Sequence, residues 1–147
     1  MSMIMAAKPA ATETHFPMAS FVPKANTAYA PAFGVRFAWR AEDVTRTLVM
    51  PGPAAGILDA FIRIAIKRSC SGDAAVITFT EMRSSLIVVA RYLPSPFAGS
   101  AEADLKLCAA GLAEHFPNSA RLTCQPWFRD EEVRIVFEGL ESVARIG

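Results

Sequence analysis

The sequence predicts an α+β fold: an antiparallel sheet of about six strands in three hairpins, with two main helices packed on one face. Three observations lead there. A hairpin pattern followed by a helical pattern recurs about three times, at a spacing of roughly 42–45 residues. The strand segments alternate apolar and polar residues with period two. Proline and glycine punctuate the elements at Pro51-Gly52-Pro53, Pro94-Ser95-Pro96 and Pro117-Asn118. The units are Phe33–Met50 then Pro53–Arg68, Ala75–Tyr92 then Ala101–Phe116, and Ala120–Glu138 then a stub at Leu140–Ile146.

Residues 1–32 carry Pro9, Pro17, Pro23 and Pro31 among Ala, Thr and Met. This predicts a flexible Pro/Ala-rich arm, with residues 33–147 forming a single domain. Phe33, Val35, Phe37 and Trp39 alternate with Gly34, Arg36, Ala38 and Arg40, a strand with one buried face. Ala41-Glu42-Asp43 turns into a second strand, Val44–Met50. Pro53 suits the first turn of a helix over 53–68 that is apolar nearly all round, with one polar stripe of Asp59, Arg63 and Lys67. Gly72 stops the chain after it.

Ala75–Thr80 alternates again, Glu81–Ser85 turns, and Leu86–Tyr92 is continuously apolar, as a central strand would be. The next helix starts near Ser100, a suitable N-cap, with Glu102 and Asp104 in its first turn. Its buried face is Ala101, Leu105, Cys108, Leu112 and Phe116. Arg121–Gln125 and Val133–Phe137 form the last hairpin, and 139–146 predicts one or two further helical turns.

The chain has 147 residues, enough for one real core. Apolar residues make up 52% and charged residues 20%, with mean hydropathy +0.29. No apolar run reaches the ~18 residues of a spanning helix. The apolar excess instead predicts a protein partner or a homo-oligomer. Net charge is +1, but residues 33–91 carry eight Lys/Arg against five Asp/Glu, while residues 98–147 carry five against eight. Cys70, Cys108 and Cys124 are odd in number and form no CxxC, so neither a disulfide framework nor a zinc site is expected. With no signal peptide in view, an intracellular location is expected.

No strong catalytic signature is present. Gly52-Pro-Ala-Ala-Gly56 sits where a phosphate loop would, but no Lys-Ser/Thr follows and Pro53 removes a needed N–H. His115 beside Glu114 fits a surface histidine at a helix C-terminus. Cys70 has no sequence-local histidine to activate it. No metal or cofactor is expected. Arg63, Lys67 and Arg68 at the end of the 53–68 helix, together with Arg83, are the candidate DNA- or partner-binding residues, because duplex phosphates need only positioned cations.

The stretch Thr47-Leu-Val-Met-Pro through Val76-Ile-Thr-Phe-Thr-Glu and Met82-Arg83-Ser84-Ser85-Leu-Ile-Val-Val-Ala resembles the opening of a sliding-clamp domain of the PCNA and checkpoint-clamp superfamily. Leu105–Phe116 and the hairpin ending Ile135-Val136-Phe137-Glu138 resemble its second half, so the likeness spans about 45–138. Departures are Arg83 where the turn should be acidic, an acidic second helix, and a single domain where clamps hold two or three. The resemblance implies a ring closed head to tail, with Arg63, Lys67 and Arg68 facing duplex DNA.

The expected function is therefore a non-enzymatic interaction or assembly subunit, clamp-like in form. The alternatives are a small cytosolic enzyme or ligand-binding domain with its site at the start of the 53–68 helix, and a regulatory adaptor docking through its N-terminal arm.

Overall fold

A computed structural model describes residues 14–70 and 75–145. In chain order the elements are β1 (His15–Pro17), α1 (Met18–Phe33), β2 (Arg36–Ala41), β3 (Arg46–Pro51), α2 (Pro53–Arg68), β4 (Val76–Glu81), β5 (Leu86–Tyr92), α3 (Ala101–Asp104), α4 (Lys106–His115), β6 (Ala120–Trp127), β7 (Asp130–Phe137) and β8 (Glu141–Ala144). The α+β class stands, but the single six-stranded antiparallel sheet does not. There is a mixed five-stranded sheet, ordered β2-β4-β5-β7-β6, and a separate three-stranded sheet, β1-β3-β8.

The first expected hairpin is the main correction. β2 does not pair with β3; it lies parallel to β4, with Phe37 opposite Ile77 and Trp39 opposite Phe79. Asp43 redirects the chain between them, its carboxylate accepting from Thr45 N at 2.9 Å and Thr45 Oγ1 at 2.6 Å. β3 then joins β1 and β8 in the smaller sheet. β4–β5 and β6–β7 are antiparallel hairpins as expected. The stub expected to be helical is the strand β8.

The expected arm of residues 1–32 is also corrected where it can be seen. Residues 1–13 lie outside the described residues; beyond them comes β1 and then a 16-residue helix. Met18, Val22, Ala25 and Tyr29 form its buried stripe, so apolar burial overrides Pro23 and Pro31. Gly34 ends the helix at φ 72°, its N–H donating to Ala30 O at 2.9 Å. This conformation favours glycine.

α2 begins on Pro53, as the sequence predicts. Ile57, Leu58, Phe61, Ile62 and Ala65 bury it against the main sheet and α4. The two helices approach closely at Gly111, where a Cβ would meet Ile57 at 3.1 Å. The second expected helix is broken at Leu105 into α3 and α4, with Ser100 Oγ capping Ala103 N at 3.3 Å. Alternation along the strands sends Ile77, Phe79, Leu86, Val88, Val133, Ile135 and Phe137 into one core beneath the helices.

The two sheets are joined by a buried carboxylate. Glu81, 3% exposed, accepts from Leu48 N at 2.6 Å, Trp39 Nε1 at 2.5 Å and Thr47 Oγ1 at 3.1 Å, and meets Arg145 at 3.4 Å. A buried carboxylate persists only with such partners. No helix among the described residues is long and apolar enough to cross a membrane.

Candidate functional site: a locked groove and an arginine-lined sheet face

Arg68 is the last residue of α2 and only 3% exposed. Its guanidinium donates to Glu131 at 2.7 and 3.0 Å, to Asp104 at 2.8 Å, and to the carbonyls of Ala98 and Gly99 at 3.3 and 3.1 Å. The Tyr92 hydroxyl donates to the same Glu131 carboxylate. One buried cation therefore ties α2, β7, α3 and the 93–104 segment together.

The backbone repeats the tie. Cys70 N donates to Leu93 O at 2.6 Å and Ser95 N to Arg68 O at 2.8 Å. Beneath this lock the groove between α2 and α3–α4 is filled by Phe61, Ile64, Ala65, Tyr92, Leu105 and Val133.

The electrostatics follow from that packing. Hydrogen bonding to Glu131 raises the Arg68 guanidinium above its ordinary range, against the opposing cost of burial. Burial pushes the Glu131 carboxyl up, but its bonds from Arg68 and Tyr92 outweigh burial and hold it low. Hydrogen bonds from Arg68 and then Lys67 hold Asp104 low. Burial, then the bond to Glu131, raises the Tyr92 hydroxyl.

The four residues singled out from the sequence are dispersed. Arg63 is exposed but paired with Asp59 at 2.9 Å. Lys67 is exposed and paired with Asp104 at 3.0 Å. Arg68 faces inward, and Arg83 sits in the β4–β5 turn beside a different pocket. The trio on α2 is thus offset by Asp59, visible one helical turn away in the sequence, and by Asp104 and Glu131, 36 and 63 residues from Arg68, which no local spacing reveals. His115 ends α4, 3.7 Å from Glu114. Cys108 is buried, its thiol pushed up to about 11 by desolvation; Cys124 lies exposed on edge strand β6. At the start of α2 Ala54 is fully buried, while Gly56 is exposed.

The face of the main sheet away from the helices is different. Arg36 and Arg40 from β2, Arg91 from β5, Arg134 from β7 and Arg121 from β6 all fall on it by strand alternation and register. Between them, Arg40, Arg91, Arg129 and Arg134 line a pocket of about 410 Å³. Arg36 and Arg40 on the polar side of a period-two strand, and Arg91, were the signals of this face in the sequence.

No protein-family model matches the chain, and no curated protein sequence matches it. Solved structures do. The catalytic domain of histidine kinase ThkA superposes with a TM-score of 0.64 at 11% identity, over 85% of this chain and 95% of that one. The Acinetobacter baumannii histidine kinase AdeS gives 0.62 at 12% identity, over 86% of this chain and 68% of the other. A bacterial phosphotransferase gives 0.57 at 10% identity, over 82% and 64%. These likenesses overturn the sliding-clamp resemblance, and with it the expected clamp-like, non-enzymatic assembly role and the DNA partner: the helices do lie side by side, but the topology is that of another fold. In its fold, this chain is similar to the catalytic domains of histidine kinases.

Proposed function

We propose that this chain is a phosphotransfer-signalling domain that handles phosphoryl groups carried by partner proteins, without a magnesium nucleotide in its own groove. The observation that carries the first part is the whole-domain fold likeness, which spans 95% of the ThkA catalytic domain. The second part rests on the Arg68 lock. A magnesium ion bound with phosphates takes one or two carboxylates and an octahedral shell of oxygens. Among the described residues at the end of α2, the oxygens of Asp104, Glu131, Ala98 and Gly99 are already held by the Arg68 guanidinium. Lys67, an exposed cation alongside, is paired with Asp104. The residues present do not fit a metal-bound nucleotide there.

A protein partner also suits the helix side of the molecule. Phe97 is 94% exposed in the locked segment and Leu107 is 82% exposed at the start of α4. Large apolar side chains in such positions favour contact with another protein. An intracellular location belongs to the same proposal.

The test follows labelled phosphate from a phosphohistidine-bearing protein to an aspartate-bearing acceptor, with and without the full chain. Chain-dependent acceleration is expected, and an unchanged rate would overturn the phosphotransfer role. A parallel titration with magnesium and AMPPNP separates the second part. No change in amide exchange of α2 or the 93–104 segment is expected up to millimolar ligand; such a change would show that the groove opens to nucleotide.

A further inference from the structure

We propose that the arginine-lined pocket on the open sheet face binds a small ligand carrying two or more phosphate groups, a site separate from the locked groove. Its floor is Val76, Thr78 and Val89, its walls Arg40, Arg91 and Arg134, and its rim Arg129 and Asp130. At about 410 Å³ it has the size of a small-molecule site and not of a flat docking face.

Two of the arginines are held in place from below. Glu132, 2% exposed, takes Arg91 Nη2 at 2.6 Å and Arg134 Nη2 at 3.1 Å. Arg91 also lies over the Trp127 ring, 4.3 Å from its centroid. Trp127 is in turn braced edge-on by Phe128 at 5.3 Å. Phe128 is held at φ 56°, a conformation bulky residues rarely adopt, in the turn that presents Arg129 to the rim. Fixed guanidinium forks are the preferred partners of phosphate oxygens.

The other two arginines are unpaired among the described residues. Arg40 and Arg129 make no ion pair among the described residues, and Arg91 Nε has no acceptor. Four arginines thus face one lining acid, Asp130, and one buried acid shared by two of them. The pocket therefore carries an excess of about two positive charges. A compact dianion or larger anion offsets that excess, and several oxygens on one ligand can engage separate forks. An extended acidic protein segment would spread its carboxylates beyond the concave floor.

The experiment is calorimetric titration of the full chain with pyrophosphate, tripolyphosphate and ADP, with citrate and a poly-glutamate peptide as non-phosphate anions. Arg40→Ser/Arg129→Ser removes two exposed, unpaired pocket arginines. Arg36→Ser/Arg121→Ser removes two arginines from the same sheet face outside the pocket. Thermal melts confirm that both variants fold. One saturable site is expected for the phosphate ligands, weakened at least about tenfold by the pocket pair, since charge-assisted bonds are lost, and within about twofold of wild type for the control pair. ADP against pyrophosphate tells a nucleotide source of the phosphates from an inorganic one. Equal weakening by the two pairs, absence of saturable binding at millimolar ligand, or citrate or poly-glutamate binding as tightly as tripolyphosphate would overturn the proposal.

Discussion

Helix α2 carries the same chemical triad twice, an arginine, a carboxylate and a tyrosine hydroxyl. On its outer stripe Arg63 pairs with Asp59 at 2.9 Å and donates to the Tyr29 hydroxyl at 3.2 Å, while that hydroxyl donates to Asp59. At its end Arg68 pairs with Glu131, which also accepts from the Tyr92 hydroxyl. The partners are alike and the surroundings are not. The Arg63 and Asp59 side chains are 69% and 45% exposed; those of Arg68 and Glu131 are 3% and 17% exposed. Water can replace each partner in the first triad. In the second it cannot, so each group depends on the others. The first joins residues one helical turn apart and brings in α1. The second closes a long-range junction, and the fold relies on it.

Removing the buried cation should have the largest effect. Arg68→Met keeps length and apolar bulk but leaves Glu131 and Asp104 facing each other without their shared partner. A loss of about 3–5 kcal/mol is expected in urea unfolding, the range for stranding one side of a buried pair. Amide exchange should show the 93–104 segment opening before the sheet. A stability change under about 1 kcal/mol would show that the buried triad behaves like an exposed one.

The hydroxyls sharpen it next. Tyr92→Phe removes one donor from a carboxylate that stays buried, and should cost about 1–3 kcal/mol. Tyr29→Phe removes the same donor from a carboxylate that water reaches, and should cost about 0.5–1 kcal/mol, because the ring itself remains packed. Denaturant melts of the two variants side by side check the order; equal costs would mean that burial does not govern the difference.

Much of the scaffold around these triads was readable beforehand, and the failures have physical causes. The bounds of α2 and β5 agree with the pattern because a nearly all-apolar helix and a continuous apolar strand are local signals. The stripe Met18, Val22, Ala25, Tyr29 also stood at helical spacing, yet Pro23 and Pro31 hid it. β2 was recognisable as a strand, but its partner was not. A parallel partner lies beyond a whole crossover helix, and period two says nothing about which strand it will be. The site fared worse. Arg68 stood out as a cation, but its acids are 36 and 63 residues away, so the sequence showed the charge and concealed its neutralisation.

Acid titration tests the same contrast from the carboxylate side. Glu131 and Asp104 are both held below their ordinary values in the folded chain, chiefly through Arg68. Between the unfolded values near ~4 and the lower folded ones, the unfolded chain binds more protons. Their contribution is therefore complete above roughly pH 5 and lost as pH falls through the folded values. Stability measured from pH 6 down to pH 2 should drop, and Glu131→Gln should flatten that drop while lowering stability at pH 6. A slope unchanged by Glu131→Gln would place the acid sensitivity elsewhere, for instance at Glu132, which Arg91 also holds low.

The smallest effect belongs to the exposed arginine, and its smallness is what the comparison requires. Arg63→Ala removes an i,i+4 ion pair that is open to solvent, together with a bond to a hydroxyl that keeps Asp59 as its acceptor. Exposed pairs of this kind contribute little on a helix, and salt screens them. Alanine is also the better helix former, which offsets part of the loss. Melting curves at low and high salt should therefore differ slightly for the parent chain and converge for Arg63→Ala. If Arg63→Ala instead cost as much as Arg68→Met, the two triads would be energetically equivalent, and burial would not be what turns one of them into a lock.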